Sequence, residues 1–222
     1  MDSVVIARGI GVTGLWGPVY GPVDLEVSSG GVTVLLCPPG PGRTALLMTL
    51  AGRMKPETGS LSVLGRTRAR EVFAAAAIAG VEELDPIPEA VTVRDLVTER
   101  LRWNAKWYKL IGRADDADLR RVCESTFGDV PLPGLDRHVD SLGELGQTLL
   151  RVALANLNRP ELLVVGSLDD VSADADRAQL LARLVALGAE QTVITSTVNP
   201  LPEDVGYVQV PVANTAQQEG AI

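Results

Sequence analysis

No apolar run in this chain is long enough to cross a bilayer. The longest, Val72 to Val81, falls far short of the roughly 20 residues a spanning helix needs. The N-terminus does not read as a leader peptide, because Asp2 stands where a basic start belongs and no hydrophobic segment follows. Cysteine is scarce: Cys37 and Cys123 are unclustered, which implies neither a disulfide framework nor a thiolate zinc site. The one histidine is His138, which reads as a loop residue. A basic excess is also missing. With 20 Lys and Arg against 28 Asp and Glu, the net charge is −8 and the pI near 4.7, which argues against a nucleic-acid surface. What is present is ample core material, 46% hydrophobic over 222 residues, enough for one large domain or a domain with a small subdomain. The expectation is a cytoplasmic chain whose membrane role, if any, comes through a partner.

The stretch that organises the chain runs from Val32 to Gly52. Val32 to Leu36 are apolar or β-branched throughout, which predicts a buried parallel strand. Pro38, Pro39, Gly40, Pro41 and Gly42 then break regular structure, and a helix restarts at Thr44 with Leu46, Leu47 and Leu50 at helical spacing. A strand, a glycine-bearing loop, a basic residue, a hydroxyl residue and a helix form the layout of a phosphate-binding loop. The helix N-terminus turns unpaired N–H groups and a positive dipole end toward an anion. Gly40 and Gly42 let the backbone approach a phosphate. The candidate nucleotide-binding residues are Gly40, Pro41, Gly42, Arg43, Thr44 and Ala45, with Thr44 also a candidate metal ligand. The pattern departs from the usual one at Cys37, where glycine is expected, and at Arg43, where lysine is expected. Arginine stays charged and can fork onto phosphate, but it is a wider, planar group. The alternative is a plain strand–turn–helix with a proline-rich turn.

Before this stretch, residues 3–8 and Val23–Val27 read as two strands of an antiparallel layer joined by Gly- and Pro-rich turns. Trp16 lies in that connection. It is a candidate platform for a purine, or else an edge aromatic covering the sheet. After the loop helix come a turn over residues 55–60 and a strand at Leu61–Leu64, and Ala74 to Val81, small and apolar, is suited to a buried strand.

LLMTLAGRMKPETGSLSVLG resembles the helix, turn and strand after the phosphate loop of ATP-binding cassette (ABC) ATPases. Further segments share the resemblance: VTVRDLVTERL at Val91–Leu101, with Thr92 and Asp95 as a capping box, and Arg151 to Ala155 with Arg159-Pro160. It implies an α/β fold of the P-loop NTPase class and ABC ATPase type. That fold has a mixed core sheet flanked by helices, an antiparallel β layer and a helical subdomain. The implied organisation is a single domain over 1–222. Its parts are an N-terminal β layer and P-loop core (1–91), a helical subdomain (92–140), a signature-like helix and C-terminal core (141–212) and a frayed polar tail (213–222). ATP is the implied cofactor, with Mg²⁺ beside it. The implied partners are an integral membrane transporter subunit and a second cassette, identical or not.

The catalytic positions depart from the family. Glu83, near the place of the family's glutamine, is a candidate metal contact, the alternative being a surface acid. The signature loop, Ser141 to Gln147, has lost or displaced its serine. The strand Leu162–Val165 should end in Asp-Glu and ends in Gly166-Ser167. Asp169 and Asp170 follow, too far along the chain to inherit the role unless the turn is rearranged. Val198 stands where the family has a histidine. Trp103, Trp107 and Tyr108 cluster in the helical subdomain, read either as core or as a contact with a membrane subunit. No residue is nominated as catalytic. The first expectation is a transporter subunit that binds nucleotide and hydrolyses it poorly. The alternatives are an active ATPase completed by a partner cassette and a nucleotide-free scaffold that regulates a membrane protein.

Overall fold

The computed structural model describes residues 2–81, 90–203 and 206–215. Glu83 and most of the polar tail lie outside them. Two strands, β1 (Ser3–Gly14) and β2 (Gly17–Ser28), form a long hairpin. With β4 (Thr58–Val63) they make an antiparallel sheet of order β2-β1-β4. The second sheet is parallel. It contains β3 (Gly31–Leu36), β5 (Ala76–Ala79), β6 (Leu162–Ser167), β7 (Thr192–Thr197) and β8 (Tyr207–Pro211), in the order β5-β6-β7-β3-β8.

Continuous apolar runs in β3 and β6 predict a sheet covered on both faces, and the side chains divide accordingly. Leu35, Leu162, Val164 and Ile194 face a core shared with the antiparallel sheet and α1 (Pro41–Leu50). Val32, Val34, Leu163, Val165 and Val193 face a second core. That core is built with α3 (Val93–Asn104), α4 (Asp116–Phe127), α5 (Glu144–Asn156) and α6 (Asp174–Gly188).

Two segments differ from the sequence expectation. The hairpin strands run well past residues 8 and 23, so Leu15 and Trp16 form the tip of one continuous ribbon. The alanine-rich run from Ala74, expected as a strand, begins as the end of helix α2 (Ala69–Ala75). Alanine is the best helix former. The chain turns extended only at Ala76, where pairing with Leu162 of β6 begins. The capping box at Thr92 is present: its side chain accepts from the Asp95 amide, and the Asp95 carboxylate accepts from the Thr92 amide. Asp115 and Asp118 repeat the device at α4.

One buried polar contact fixes the phosphate-loop helix against the hairpin. The Tyr20 hydroxyl donates to Thr49 Oγ1 at 2.9 Å, and Thr49 donates in turn to the Ala45 carbonyl at 2.8 Å. Tyr20 is buried, which pushes its phenol up from its ordinary range. Tyr20→Phe removes one hydrogen bond and leaves Thr49 bonded to its own helix. The expected loss of stability is about 1 kcal/mol, read as a lower urea midpoint with an unchanged m-value.

Candidate functional site

Strand β3 lies between β7 and β8, and the loop at its end is tied to both neighbours. The Cys37 amide donates to the Thr197 carbonyl at 3.1 Å, and the Val212 amide donates to the Leu36 carbonyl at 2.8 Å. Gly40, at φ 128°, adopts a backbone that side chains resist. Its carbonyl accepts the amides of Arg43 and Thr44 at 3.1 and 3.4 Å, which starts α1. Pro41 occupies the first helical turn, where its missing N–H costs nothing. Gly42 is buried, and a Cβ there would overlap the carbonyl oxygens of Val19 and Thr215. Strand β2 and the segment after β8 thus back the first turn of the helix. Ala45 packs into the core beneath it. Burial pushes the Cys37 thiol up to about 11, against the pull of the Arg43 charge.

The Arg43 side chain does not project freely. Its Nη1 lies 3.4 Å from Asp169 Oδ2, with both side chains largely buried. Asp169 is thus the residue that the sequence left too far away, and a capped turn brings it back. Strand β6 continues through Ser167, and residues 168–170 form one 3₁₀ turn. Ser167 Oγ accepts the Asp169 amide at 3.2 Å and donates to Asp169 Oδ2 at 2.9 Å. Thr197 Oγ1 donates to Asp169 Oδ1 at 2.9 Å, and the Val198 amide donates to Oδ2 at 2.8 Å. The residue in the family's histidine position therefore meets the site through its backbone. The Ser-Leu-Asp pattern, with a hydroxyl two residues before the acid, is the signal that could have found this turn.

Gly166, where the sequence resemblance leads one to expect an aspartate, has no room for a side chain. A Cβ there would overlap the Gly80 carbonyl oxygen at the end of β5. Beyond it a cleft of about 200 Å³ is lined by Gly80, Glu144, Gln147, Arg151 and Asp170. Glu144, at the start of α5, accepts from the Ser172 amide at 2.7 Å and from the Ser172 hydroxyl. These bonds hold its carboxyl below the ordinary range. Gln147 turns inward and donates to the Leu142 carbonyl at 2.8 Å.

The remaining candidates are scattered. Trp16 is 93% exposed at the hairpin tip, in the ribbon that meets the loop at Val19. His138 forms a β-bridge with Thr92, the cap of α3. Among the described residues, no cluster of three acid, histidine or cysteine side chains could hold a metal ion.

A phosphate fits this site better than a magnesium ion does. The helix N-terminus, Arg43 and Thr44 are the donors an anion needs. Magnesium asks for a carboxylate with open lone pairs, and Asp169 is committed to Arg43, Ser167, Thr197 and Val198.

Comparison with known proteins adds relatives. The sequence profile of the ABC transporter family matches residues 20–171. A phosphonates import ATP-binding protein of Anaeromyxobacter dehalogenans is 31% identical over 93% of this chain and 42% of its own length. A namesake from Bordetella parapertussis is 25% identical, with 61% of its length covered, so the chain spans less than two thirds of both relatives. A cytochrome c biogenesis ATP-binding export protein of Pseudomonas putida is 33% identical, with 81% of each chain covered. Among solved structures, an ABC transporter ATP-binding protein from Pyrococcus furiosus superposes with a TM-score of 0.69 at 21% identity, covering 93% of this chain and 96% of the other. A Clostridium perfringens ABC transporter component gives 0.66 at 16% identity over 90% and 80%. At those identities the superpositions establish the fold.

The crowding at Gly166 is testable by the substitution that would rebuild the strand-end acid. Gly166→Asp is expected to destabilise by about 3 kcal/mol or more, through overpacking and a buried charge, measured by urea denaturation. A variant as stable as the parent would mean that β5 and β6 part easily.

Proposed function

The chain belongs to the ABC transporter family, and we propose that it is an ATP-binding subunit of a membrane transporter that holds nucleotide but hydrolyses it slowly or not at all. The nucleotide's phosphates sit at Gly40, Pro41, Gly42, Arg43, Thr44 and Ala45, with Arg43 forking onto phosphate oxygens. The division into a β layer and P-loop core, a helical subdomain at 92–140 and a C-terminal core belongs to the same reading. The subunit works on the cytoplasmic side, paired with an identical or different cassette and attached through an integral membrane subunit. Among the described residues no helix is long and apolar enough to cross a membrane.

The observation that carries this reading is the exchange of carboxylates around β6. Phosphoryl transfer depends on positioned charge. Gly166, one residue before the end of β6, admits no side chain; of the two acids in the turn that follows, Asp169 is spent on Arg43 and Asp170 faces the cleft beyond Gly166. Bound ATP must displace Asp169 from the guanidinium, and the Asp169 carboxylate then stays tied to Ser167, Thr197 and Val198 rather than turned to a metal. Thr44 would face one from the loop. A partner cassette completing an active site would have to insert an acid where the ends of β5 and β6 already touch, which disfavours full ATPase activity. The nucleotide-free scaffold has one observation in its favour: the loop's cation is already neutralised from within. Trp16 as the adenine platform and Glu83 as a metal contact remain parts of the proposal that rest on the sequence.

Calorimetric titration with ATP, with and without Mg²⁺, separates the readings. The expected result is micromolar binding, about −8 kcal/mol, that barely depends on the metal. Arg43→Ala or Thr44→Ala should weaken it about tenfold or more, and Asp169→Asn should strengthen it about tenfold by freeing the guanidinium. If Asp169→Asn instead weakens Mg·ATP selectively, Asp169 is a metal carboxylate and the impairment reading fails. No binding up to millimolar ATP, in the parent and in Asp169→Asn alike, makes the chain a scaffold.

A further inference from the structure

Residues 100–113 contain Arg100, Arg102, Lys106, Lys109 and Arg113. These are five of the chain's 20 basic residues, in a segment with none of its 28 acids. The same segment holds Trp103 and Trp107, two of three tryptophans, together with Tyr108 and Leu110. The structure makes residues 105–113 an exposed finger after the end of α3, which carries Arg100, Arg102 and Trp103. Trp107 is 96% exposed, Leu110 is 100% exposed, and Trp103 and Tyr108 are open to solvent.

The finger is ordered by its base. Arg102 Nε donates to the Ile111 carbonyl at 3.2 Å and Arg94 Nη1 to the Ala114 carbonyl at 2.6 Å, while the Ala114 amide donates to Thr98 Oγ1 at 2.9 Å. Ile111 alone among residues 105–113 reaches the core. At the tip, the Lys109 amide closes a turn on the Lys106 carbonyl at 2.8 Å. Trp107 and Tyr108 meet edge to face at 5.8 Å, and Lys106 Nζ sits 5.9 Å over the Tyr108 ring. The apolar side chains here are thus held outward, not left over from a core.

We infer that this finger is an anionic-lipid contact, with Trp107 and Leu110 entering the headgroup–acyl boundary and Lys106, Lys109, Arg102 and Arg113 meeting lipid phosphates. Tryptophan and tyrosine beside lysine and arginine is the composition of a membrane interface. Tryptophan, tyrosine and arginine also populate protein interfaces, but lysine is depleted from their buried centres, so the two lysines at the tip favour lipid over a protein groove. A nucleic acid would use the cations but has no place for Leu110, and it would meet a chain of net charge −8. The acids resume at Asp115 and Asp116, at the first turn of α4 beyond the finger's base, where Asp115 caps the helix. Because attraction to an anionic surface acts within a Debye length of about 8 Å, a projecting tip responds to it before the acidic body does.

The inference rests on the finger alone, so vesicle binding and nucleotide binding succeed or fail separately. The test is flotation of the full chain with phosphatidylcholine vesicles, with and without about one third phosphatidylglycerol, at low and high salt. The expected result is at least about tenfold stronger partitioning onto the anionic vesicles, weakened by salt and accompanied by a blue shift of tryptophan emission. Lys106→Gln with Lys109→Gln should cut binding about tenfold. Trp107→Ala with Leu110→Ser should abolish the blue shift, with thermal unfolding unchanged for both pairs. Equal partitioning onto neutral and anionic vesicles, or binding untouched by these variants, overturns the inference. No vesicle binding together with saturable binding of a mixed-sequence oligonucleotide overturns it in favour of nucleic acid. No binding to either overturns it in favour of a protein surface.

Discussion

The carboxylate of Asp169 holds together the three segments from which the site is made. It accepts from the first turn of α1 through Arg43, from the end of β6 through Ser167, and from the end of β7 through Thr197 and Val198. Each of these segments leaves polar groups at the C-terminal edge of the parallel sheet, where no further strand pairing can satisfy them. A largely buried guanidinium without a partner would be costly, and the turn at Leu168–Asp170 supplies the compensating charge. The same arrangement shapes the chemistry. An anion that occupies the loop competes with an internal anion, and a metal that approaches finds its carboxylate engaged.

The framework was legible in the sequence because it rests on patterns that act locally. Alternating burial, the glycine and proline breaks around Gly40, and the capping box at Thr92 each specify their own few residues. The site was less legible because its geometry depends on how segments close on one another. Asp169 lies two residues past Ser167, and chain distance alone says nothing of a turn that folds the acid back toward Arg43. Gly166 read as a lost aspartate. That β5 approaches it too closely for any side chain is a fact of sheet packing, visible only once Gly80 is beside it. The run at Ala74 was ambiguous in kind, since alanine suits a helix interior as readily as a crowded strand, and pairing with β6 decides where one gives way to the other.

Charge is also sorted along the chain. Acids predominate over most of it, while the finger between α3 and α4 carries cations and no acid. The nucleotide loop has a single cation, neutralised internally. The proposed binding to phosphate at one site and to an acidic surface at the other would therefore draw on separate residues, so a change at one need not disturb the other.

The position of β3 has a consequence for the order in which the protein is made. Its neighbours are β7 and β8, and Thr215 braces Gly42, so the partners of the loop emerge from the ribosome some 150 residues or more after it. Such distant pairings form late. The hairpin of β1 and β2 is complete early, whereas the loop after β3 acquires its final shape only when β8 has been delivered. A nascent chain therefore lacks a finished loop until β8 has been made, so if the loop holds ATP as proposed, bound ATP marks a molecule whose translation has passed β8.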